Sequence, residues 1–205
     1  MKNNTLQLLI KVFSEVTSIV VAVLFALWAN SWWAERERTI EVDILTKEIV
    51  SELQENLSRL VKSHEHHTAQ LKLIIDFKND HDALNEEAYK KLNQKLFSKG
   101  VYQPAEIFFT YWEILTDKGL ISEISNTHLS AIKPAYKSIE HYQKNWESIA
   151  NSQIMISLLT KSEQERLEIT NQTIAQLWWS EKNAINQIKQ SLVQLGANVS
   201  NESKL

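Results

Sequence analysis

Residues 16–33 read VTSIVVAVLFALWANSWW, a run of eighteen positions without a charged side chain. As a helix with about 1.5 Å of rise per residue, this run spans roughly 27 Å, close to the roughly 30 Å hydrocarbon thickness of a bilayer. It ends in Trp28, Trp32 and Trp33, and the charged sequence Glu35-Arg36-Glu37-Arg38 follows directly. Tryptophans beside charged residues are typical of a membrane–water interface. The pattern therefore predicts a transmembrane helix.

Two other interpretations of the run are open. A cleaved signal peptide would use Lys2 and Lys11 as its basic region and Ala29-Asn30-Ser31 as its cleavage site, although a bulky tryptophan pair would then follow the cut. The run could also be a buried core helix, but it is too uniformly apolar for a helix that keeps one face in water. We favour the membrane span, with residues 12–33 as the helix and residues 1–11 as a short N-terminal tail.

The positive charges around the span give little indication of its orientation. Lys2 and Lys11 precede it, while Arg36, Arg38 and Lys47 follow it, so the positive-inside count is nearly balanced. We predict that the N-terminus is cytoplasmic and that the C-terminal domain lies outside the cytoplasm.

Both ends of the span carry residues expected at the membrane interface. Glu15 lies within about one turn of the basic end, where its carboxylate can reach the headgroups or pair with Lys11. The alternative for Glu15 is a role in helix packing or partner binding, because ionisable residues inside spans are often functional. The predicted interface residues are Glu15, Trp28, Asn30, Trp32 and Trp33.

The composition of the 205 residues predicts an all-α protein with one domain besides the anchor. Three Gly and two Pro leave little material for tight turns or hairpins. The absence of Cys excludes disulfides, thiolate metal sites and cysteine nucleophiles. A net charge of -3 does not indicate a nucleic-acid partner.

Apolar periodicity predicts that residues 34–196 form a bundle of about four to five helices, beginning with a long juxtamembrane helix. The seam of that first helix has spacings of three and four residues: Leu45, Ile49, Leu53, Leu57, Leu60, His64, His67, Leu71 and Ile74. Its opposite face is expected to be solvated: Glu48, Glu52, Glu55, Arg59 and Lys62.

Local start and stop signals place the remaining helices. Gly100 ends a helix over residues 86–98, and Pro104 opens one over residues 105–117. Ser125 and Asn126 offer caps for a helix over about 127–159, in which Pro134 falls near the start. Ser162 and Glu165 form a capping box for a last helix that runs to Gly196, and residues 197–205 are expected to be a disordered tail.

Two stretches of the chain carry a recognisable pattern. The first lies along the span: Glu15, Val20-Val21, Ala26-Leu27, Asn30, Trp32 and Glu35-Arg36. The second lies in the domain: Tyr111, Glu113, Leu115, Gly119, Leu120, Ile124, Asn126, Leu129 and Tyr136. In this order they resemble the signature of a widespread family of uncharacterised bacterial single-span membrane proteins.

The resemblance implies an inner-membrane protein with a helical domain outside the cytoplasm, and it implies no particular activity. The chain departs from the family at two positions of the span. Ala22 stands where the family has a small residue, often Gly, and Trp28 stands where it has a polar one. These departures concern how the span packs.

The sequence His64-Glu65-His66-His67 contains the strongest candidates for metal ligands. His64 and His67 are three residues apart and could share a metal with a carboxylate from another helix. It is not the zinc-protease motif, because position 68 is Thr. In the alternative that we favour, His64 and His67 fill a weakly polar part of the seam, His66 faces water, and no metal is bound.

Three aromatic residues, Tyr111, Trp112 and Trp179, are candidates for a ligand or partner surface, although aromatics in a bundle are more often core. The acidic pairs Glu86-Glu87 and Glu35/Glu37 are expected on helix surfaces. The sequence contains no Gly-rich phosphate loop, serine nucleophile elbow or Glu-x-x-His pattern. We therefore predict no catalytic residue and no cofactor.

Three functions are compatible with these observations. The first is a tethered interaction or sensor module that acts through a protein partner or by self-association, with any small ligand unknown. The second is a structural coiled-coil protein that assembles through the seam between Leu45 and Ile74. The third and least favoured is a metal-dependent enzyme.

Overall fold

A computed structural model of the chain describes residues 2–80, 85–98, 100, 102–151 and 161–197. These residues form five α-helices, one short 3-10 helix and no β-strand, which confirms the all-α prediction. The elements are α1 (Lys2–Asn79), α2 (Glu86–Ser98), α3 (Thr110–Asp117), the 3-10 helix Leu120–Glu123, α4 (Asn126–Asn151) and α5 (Glu163–Gln194).

The chain divides into two compact units, residues 1–45 and residues 46–205. The first unit consists of the N-terminal part of α1, whose helix already includes residues 2–11. Between residues 13 and 40 every side chain is exposed except the half-buried Ala29. This part of α1 contains a window that is long and apolar enough to cross a membrane and that is nowhere buried.

The second unit is the helical bundle, in which α5 is the central element. Both α2 and α4 pack against α5, and α1 is joined to α5 by side-chain hydrogen bonds over more than a hundred residues of sequence. The predicted seam of α1 is confirmed, since Ile49, Leu53, Leu60 and Ile74 are fully buried. The other long helices bury apolar stripes too: Ile132, Tyr136, Ile139, Tyr142 and Ile149 on α4, and Leu167, Ile174, Leu177, Ile185, Ile188 and Leu192 on α5.

The helix ends follow local chemistry. Ser162 caps α5 through the predicted capping box with Glu165, and Gly196, in the left-handed region at φ 71°, follows its last turn. Pro134 lies inside α4, which starts at Asn126. The predicted continuation of this helix to residue 159 lies outside the described residues, as do residues 198–205 of the predicted tail.

The prediction of a helix over residues 105–117 is wrong for its first half, because α3 begins only at Thr110. Residues 102–109, here called the linking segment, are not helical. Their backbone groups bond to side chains of the helices instead: Phe108 N–H donates to Asn56 Oδ1 at 3.0 Å, and Ala105 N–H donates to Tyr142 Oη at 2.6 Å. These bonds replace the ones that a helix would have supplied.

Asn56 holds the linking segment most firmly. Its side chain is fully buried, and its Nδ2 donates to Phe108 O at 2.8 Å while its Oδ1 accepts from Phe108 N–H. We expect Asn56→Ala to lower the free energy of unfolding by about 1–3 kcal/mol, because it leaves buried backbone groups without partners.

The measurement is denaturant unfolding of the full chain in detergent, followed by circular dichroism. Asn183→Ala, at an exposed position of α5, is the matched control and is expected to change stability by less than about 0.5 kcal/mol. Equal stability of both variants would contradict the role assigned to Asn56.

Candidate functional site

A stripe of polar side chains runs along α1 beside the apolar seam. Its members are separated by four and three residues in turn: Glu52, Asn56, Arg59, Ser63, His66 and Gln70. This spacing places them on one face of the helix. Glu52 was expected to be solvated, and that prediction is wrong because it is only 5% exposed. Glu55 and Lys62 are exposed as predicted.

A fully buried carboxylate lies in this region, that of Glu181 on α5, whose side chain is 0% exposed. His67 Nδ1 lies 2.9 Å from Oε1 and 3.0 Å from Oε2. His64 Nδ1 lies 3.7 Å from Oε2. Ser63 Oγ lies 2.6 Å from Oε1 and also 2.6 Å from Gln103 O, so its single proton serves one acceptor at a time. We call Ser63, His64, His67 and Glu181 the buried network.

The electrostatics of the buried network favour an ionised Glu181. Burial by itself raises the pKa of this carboxyl, but the neighbouring imidazoles of His64 and His67 and the hydrogen bond from Ser63 outweigh it and lower the pKa. The pKa of the neighbouring Tyr142 is raised, first by burial and then by the negative charge of Glu181. Glu181 is therefore held as a carboxylate inside the bundle.

The two histidines are placed in the seam, as expected from their spacing. The ring of His64 stacks on Trp178, with centroids 4.9 Å apart. Trp178 Nε1 donates to Thr68 Oγ1 at 2.8 Å. His66 was predicted to face water. It is instead half-buried, and its Nε2 lies 3.0 Å from Gly100 O.

The geometry around Glu181 is that of hydrogen bonding rather than metal binding. His67 Nδ1 is in direct hydrogen-bond contact with the carboxylate, which leaves no space for an ion between them. Across the part of the chain that the structure describes, no group of three His, Asp or Glu side chains is arranged to hold a metal. Ser63 is directed at the carboxylate instead of an imidazole, unlike a serine–histidine nucleophile.

A second polar cluster connects α1, α3 and α4. The Tyr136 hydroxyl donates to Glu52 Oε1 in a very short bond, and Tyr111 N–H donates to Glu52 Oε2 at 3.1 Å. Burial, followed by the bond to Glu52 and its charge, raises the pKa of the Tyr136 phenol. Trp112 stacks on Tyr136 with centroids 4.9 Å apart. Two of the three aromatic residues predicted to form a ligand or partner surface, Tyr111 and Trp112, therefore lie together in this cluster.

Two of the cavities on the second unit are lined by residues described above. One, of about 580 Å³, lies between α1 and the linking segment and is lined by polar residues that include Arg59, Ser63 and Glu106. The other, of about 330 Å³, has Trp112 on its wall together with Glu113, Asp117 and Glu140. An aromatic face beside three carboxylates can hold a small cationic ligand.

Trp179, the third predicted surface aromatic, lies apart from this cavity on α5. It is 58% exposed and meets the ring of Trp178 edge-on, with centroids 5.1 Å apart. Lys182 Nζ lies 4.8 Å and 5.4 Å from the centroids of Trp178 and Trp179. Trp179 is thus available for an external contact.

The predicted membrane-interface residues Glu15, Trp28, Asn30, Trp32 and Trp33 all lie exposed on α1. Trp33 Nε1 donates to Glu37 at 3.2 Å, and the Arg36 guanidinium lies 5.7 Å from the Trp32 ring centroid. The tryptophans therefore contact the charged segment that follows them, as expected for a collar between an apolar and a wet environment.

Sequence reasoning missed Glu181, Ser63 and the role of Glu52. A signal for Glu181 was present, because it stands at core spacing between Leu177 and Ile185, where a solvated residue is not expected. The polar stripe of α1 was likewise visible as a regular spacing beside the leucines.

No protein-family model, curated protein or solved structure matches this chain.

Removing the carboxylate of Glu181 is expected to cost much more stability than removing an exposed one. We expect Glu181→Leu to lower the free energy of unfolding by about 3–5 kcal/mol, because His67 and Ser63 lose a buried partner. The matched control is Glu168→Leu on the same helix, whose exposed ion pair with Lys78 contributes less than about 1 kcal/mol. Comparable losses in denaturant unfolding would refute the importance of burial here.

Acid is expected to weaken the buried network. Since the folded-state pKa of Glu181 is lowered from 4.5, its contribution is fully present above that value and is lost as the pH falls through the lower folded-state pKa. The stability difference between the wild type and Glu181→Gln should therefore shrink as the pH is lowered from 7 into this range. Unfolding curves at several pH values measure it, and a difference that is independent of pH would contradict the assignment.

Proposed function

We propose that this chain is a membrane-tethered helical interaction or sensor module whose bundle acts through a partner. The exposed apolar part of α1 carries the proposal. Large side chains there, such as Leu24 at 61% and Phe25 at 65% exposure, are left open by the part of the chain that the structure describes. Exposing apolar surface to water costs about 25 cal/mol per Å², and a bilayer removes that cost.

The membrane we propose is the bacterial inner membrane, crossed once, with the bundle outside the cytoplasm. The resemblance of the span and of residues 111–136 to bacterial single-span proteins supports this location. Trp32 and Trp33, beside Glu35-Arg36, mark the end of the span that is continuous with the rest of α1. A module with one span can convey a signal through a partner or by self-association along the span.

Two aromatics, the half-buried Trp112 and the exposed Trp179, supply the proposed contact surfaces of the bundle. Trp112 lines the acidic 330 Å³ cavity, and Trp179 presents its ring at 58% exposure. Tryptophan is enriched where proteins bind partners, because it combines a large apolar face with one hydrogen-bond donor. By contrast, the buried network has its polar groups turned toward each other, which favours binding over catalysis as the function.

The alternative is a structural coiled coil that assembles through the seam between Leu45 and Ile74. Its central residues Leu53 and Leu60 are 0% exposed within a single chain. A partner helix would therefore have to displace parts of the bundle. This burial favours the tethered module over the coiled-coil protein.

Membrane insertion and orientation are tested together in cells. We expect the full chain to stay with the membrane pellet after alkaline carbonate extraction, because the apolar span is held by the bilayer. We expect a C-terminal fusion to an enzyme that is active only outside the cytoplasm to be active. A C-terminal fluorescent protein that matures only in the cytoplasm should be dark. Release by carbonate would refute the tether, and the reverse fusion pattern would refute the orientation.

The coiled-coil alternative is tested by placing charges in the seam. We expect the double variant Leu53→Asp, Leu60→Asp to lose helical content and to melt at lower temperature, because it buries two carboxylates in the core. Ile75→Asp, at a 55% exposed position of the same helix, should stay folded. Circular dichroism and light scattering in detergent distinguish the outcomes: a double variant that keeps its fold but dissociates would favour the coiled coil.

A further inference from the structure

Beyond the tryptophan collar, α1 presents apolar side chains on a side of the helix that nothing in the described structure covers. Ile40 and Ile44 are 51% and 53% exposed, and they follow the charged residues 35–38. Val42 and Leu45, which point to a different side of the same helix, are each only 7% exposed. Two isoleucines one turn apart in this charged segment form a patch that water solvates poorly.

The two isoleucines continue a regular pattern that starts inside the span. The pattern advances by four and three residues in turn, as in the a and d positions of a heptad repeat. We call these residues the α1 stripe: Ile19, Val23, Ala26, Asn30, Trp33, Glu37, Ile40 and Ile44. Every one of them is exposed.

Asn30 is the second observation on the same stripe. It is an exposed amide at the interfacial end of the apolar run, where a neighbouring helix can offer it a hydrogen-bond partner. Amide side chains in spans bond to other helices, and a single Asn at a core position of a coiled coil sets register and oligomeric state. The stripe therefore carries an amide, Asn30, near the end of the apolar run and two exposed isoleucines in the charged segment beyond it. A second helix with matching residues would give the amide a hydrogen-bond partner and cover the exposed isoleucines.

We propose that two copies of this chain pair in parallel through the α1 stripe. Copies inserted in the same direction bring identical residues to the same depth, and an amide is self-complementary because it both donates and accepts. In this register Arg36 of one copy lies near Glu41 of the other, which supplies opposite charges at the flanking positions. Glu37 opposes pairing, because the Glu37 carboxylates of the two copies lie opposite each other and repel. The part played by Asn30 rests on the proposed membrane tether, whereas that of Ile40 and Ile44 does not.

Single cysteines test the pairing directly, because the chain contains none. Full-length Ile40→Cys and Ile44→Cys are oxidised mildly in native membranes, and disulfide-linked dimers are counted on non-reducing gels. We expect several-fold more dimer at these positions than for Arg38→Cys and Thr39→Cys, which are exposed but off the stripe. Equal yields at all four positions, or higher yields at the off-stripe pair, would overturn the proposal.

Second-site changes in the Ile44→Cys background separate pairing from chance collision. Asn30→Leu should lower the dimer affinity about three- to tenfold, in line with single polar bonds between membrane helices, and Glu37→Leu should raise the yield. Ser31→Leu and Thr39→Glu are the matched controls and should leave it unchanged. An unchanged yield for Asn30→Leu and Glu37→Leu would overturn the role of the stripe.

Carbonate extraction of the same membranes distinguishes this proposal from the tether. A chain that stays in the pellet without stripe-specific dimers refutes the pairing but not the tether. A chain that is released but still forms dimers at Ile40 and Ile44 refutes the tether but not the pairing of these two residues.

Discussion

The carboxylate of Glu181 lies out of contact with water, and an ion in that position is stable only where neighbours replace the lost hydration. His67 and Ser63 provide the replacement from α1, and Ser63 also reaches Gln103 of the linking segment. Apolar contacts are non-directional and would tolerate small displacements between helices. The hydrogen bonds of Glu181 form in only one arrangement of the helices, so they determine how α1, α5 and the linking segment fit together.

Buried polar side chains also need hydrogen-bond partners in an earlier part of α1. Glu52 and Asn56 are buried, and each bonds to backbone groups that have no helical partner of their own. The linking segment can therefore cross the bundle without forming a helix or a strand, because side chains of α1 and α4 satisfy its backbone. The bundle combines an apolar seam, which supplies most of the burial, with a polar stripe that specifies which segments lie against it.

The first unit obeys a different constraint, since its described side chains between residues 13 and 40 form no core. Its apolar side chains between residues 16 and 33 remain exposed except the half-buried Ala29, and lipid or another helix can cover them. Under the proposals made above, lipid covers most of the span and a second copy covers the α1 stripe. Tethering and pairing would then be properties of the N-terminal part of α1, while ligand or partner contacts would be properties of the bundle.

The apolar window, the all-α class, the capping box of Ser162 and the buried seam of α1 follow from local sequence patterns, because each depends on residues within a few turns of one another. The burial of Glu52 and Glu181 and the non-helical backbone of residues 105–109 depend on how the helices pack together. Periodicity tells which residues share a face of a helix, and it does not tell what lies against that face. The partners of Glu181 are 114 and 118 residues away in the chain, so a charge at core spacing becomes intelligible only when the helices are assembled.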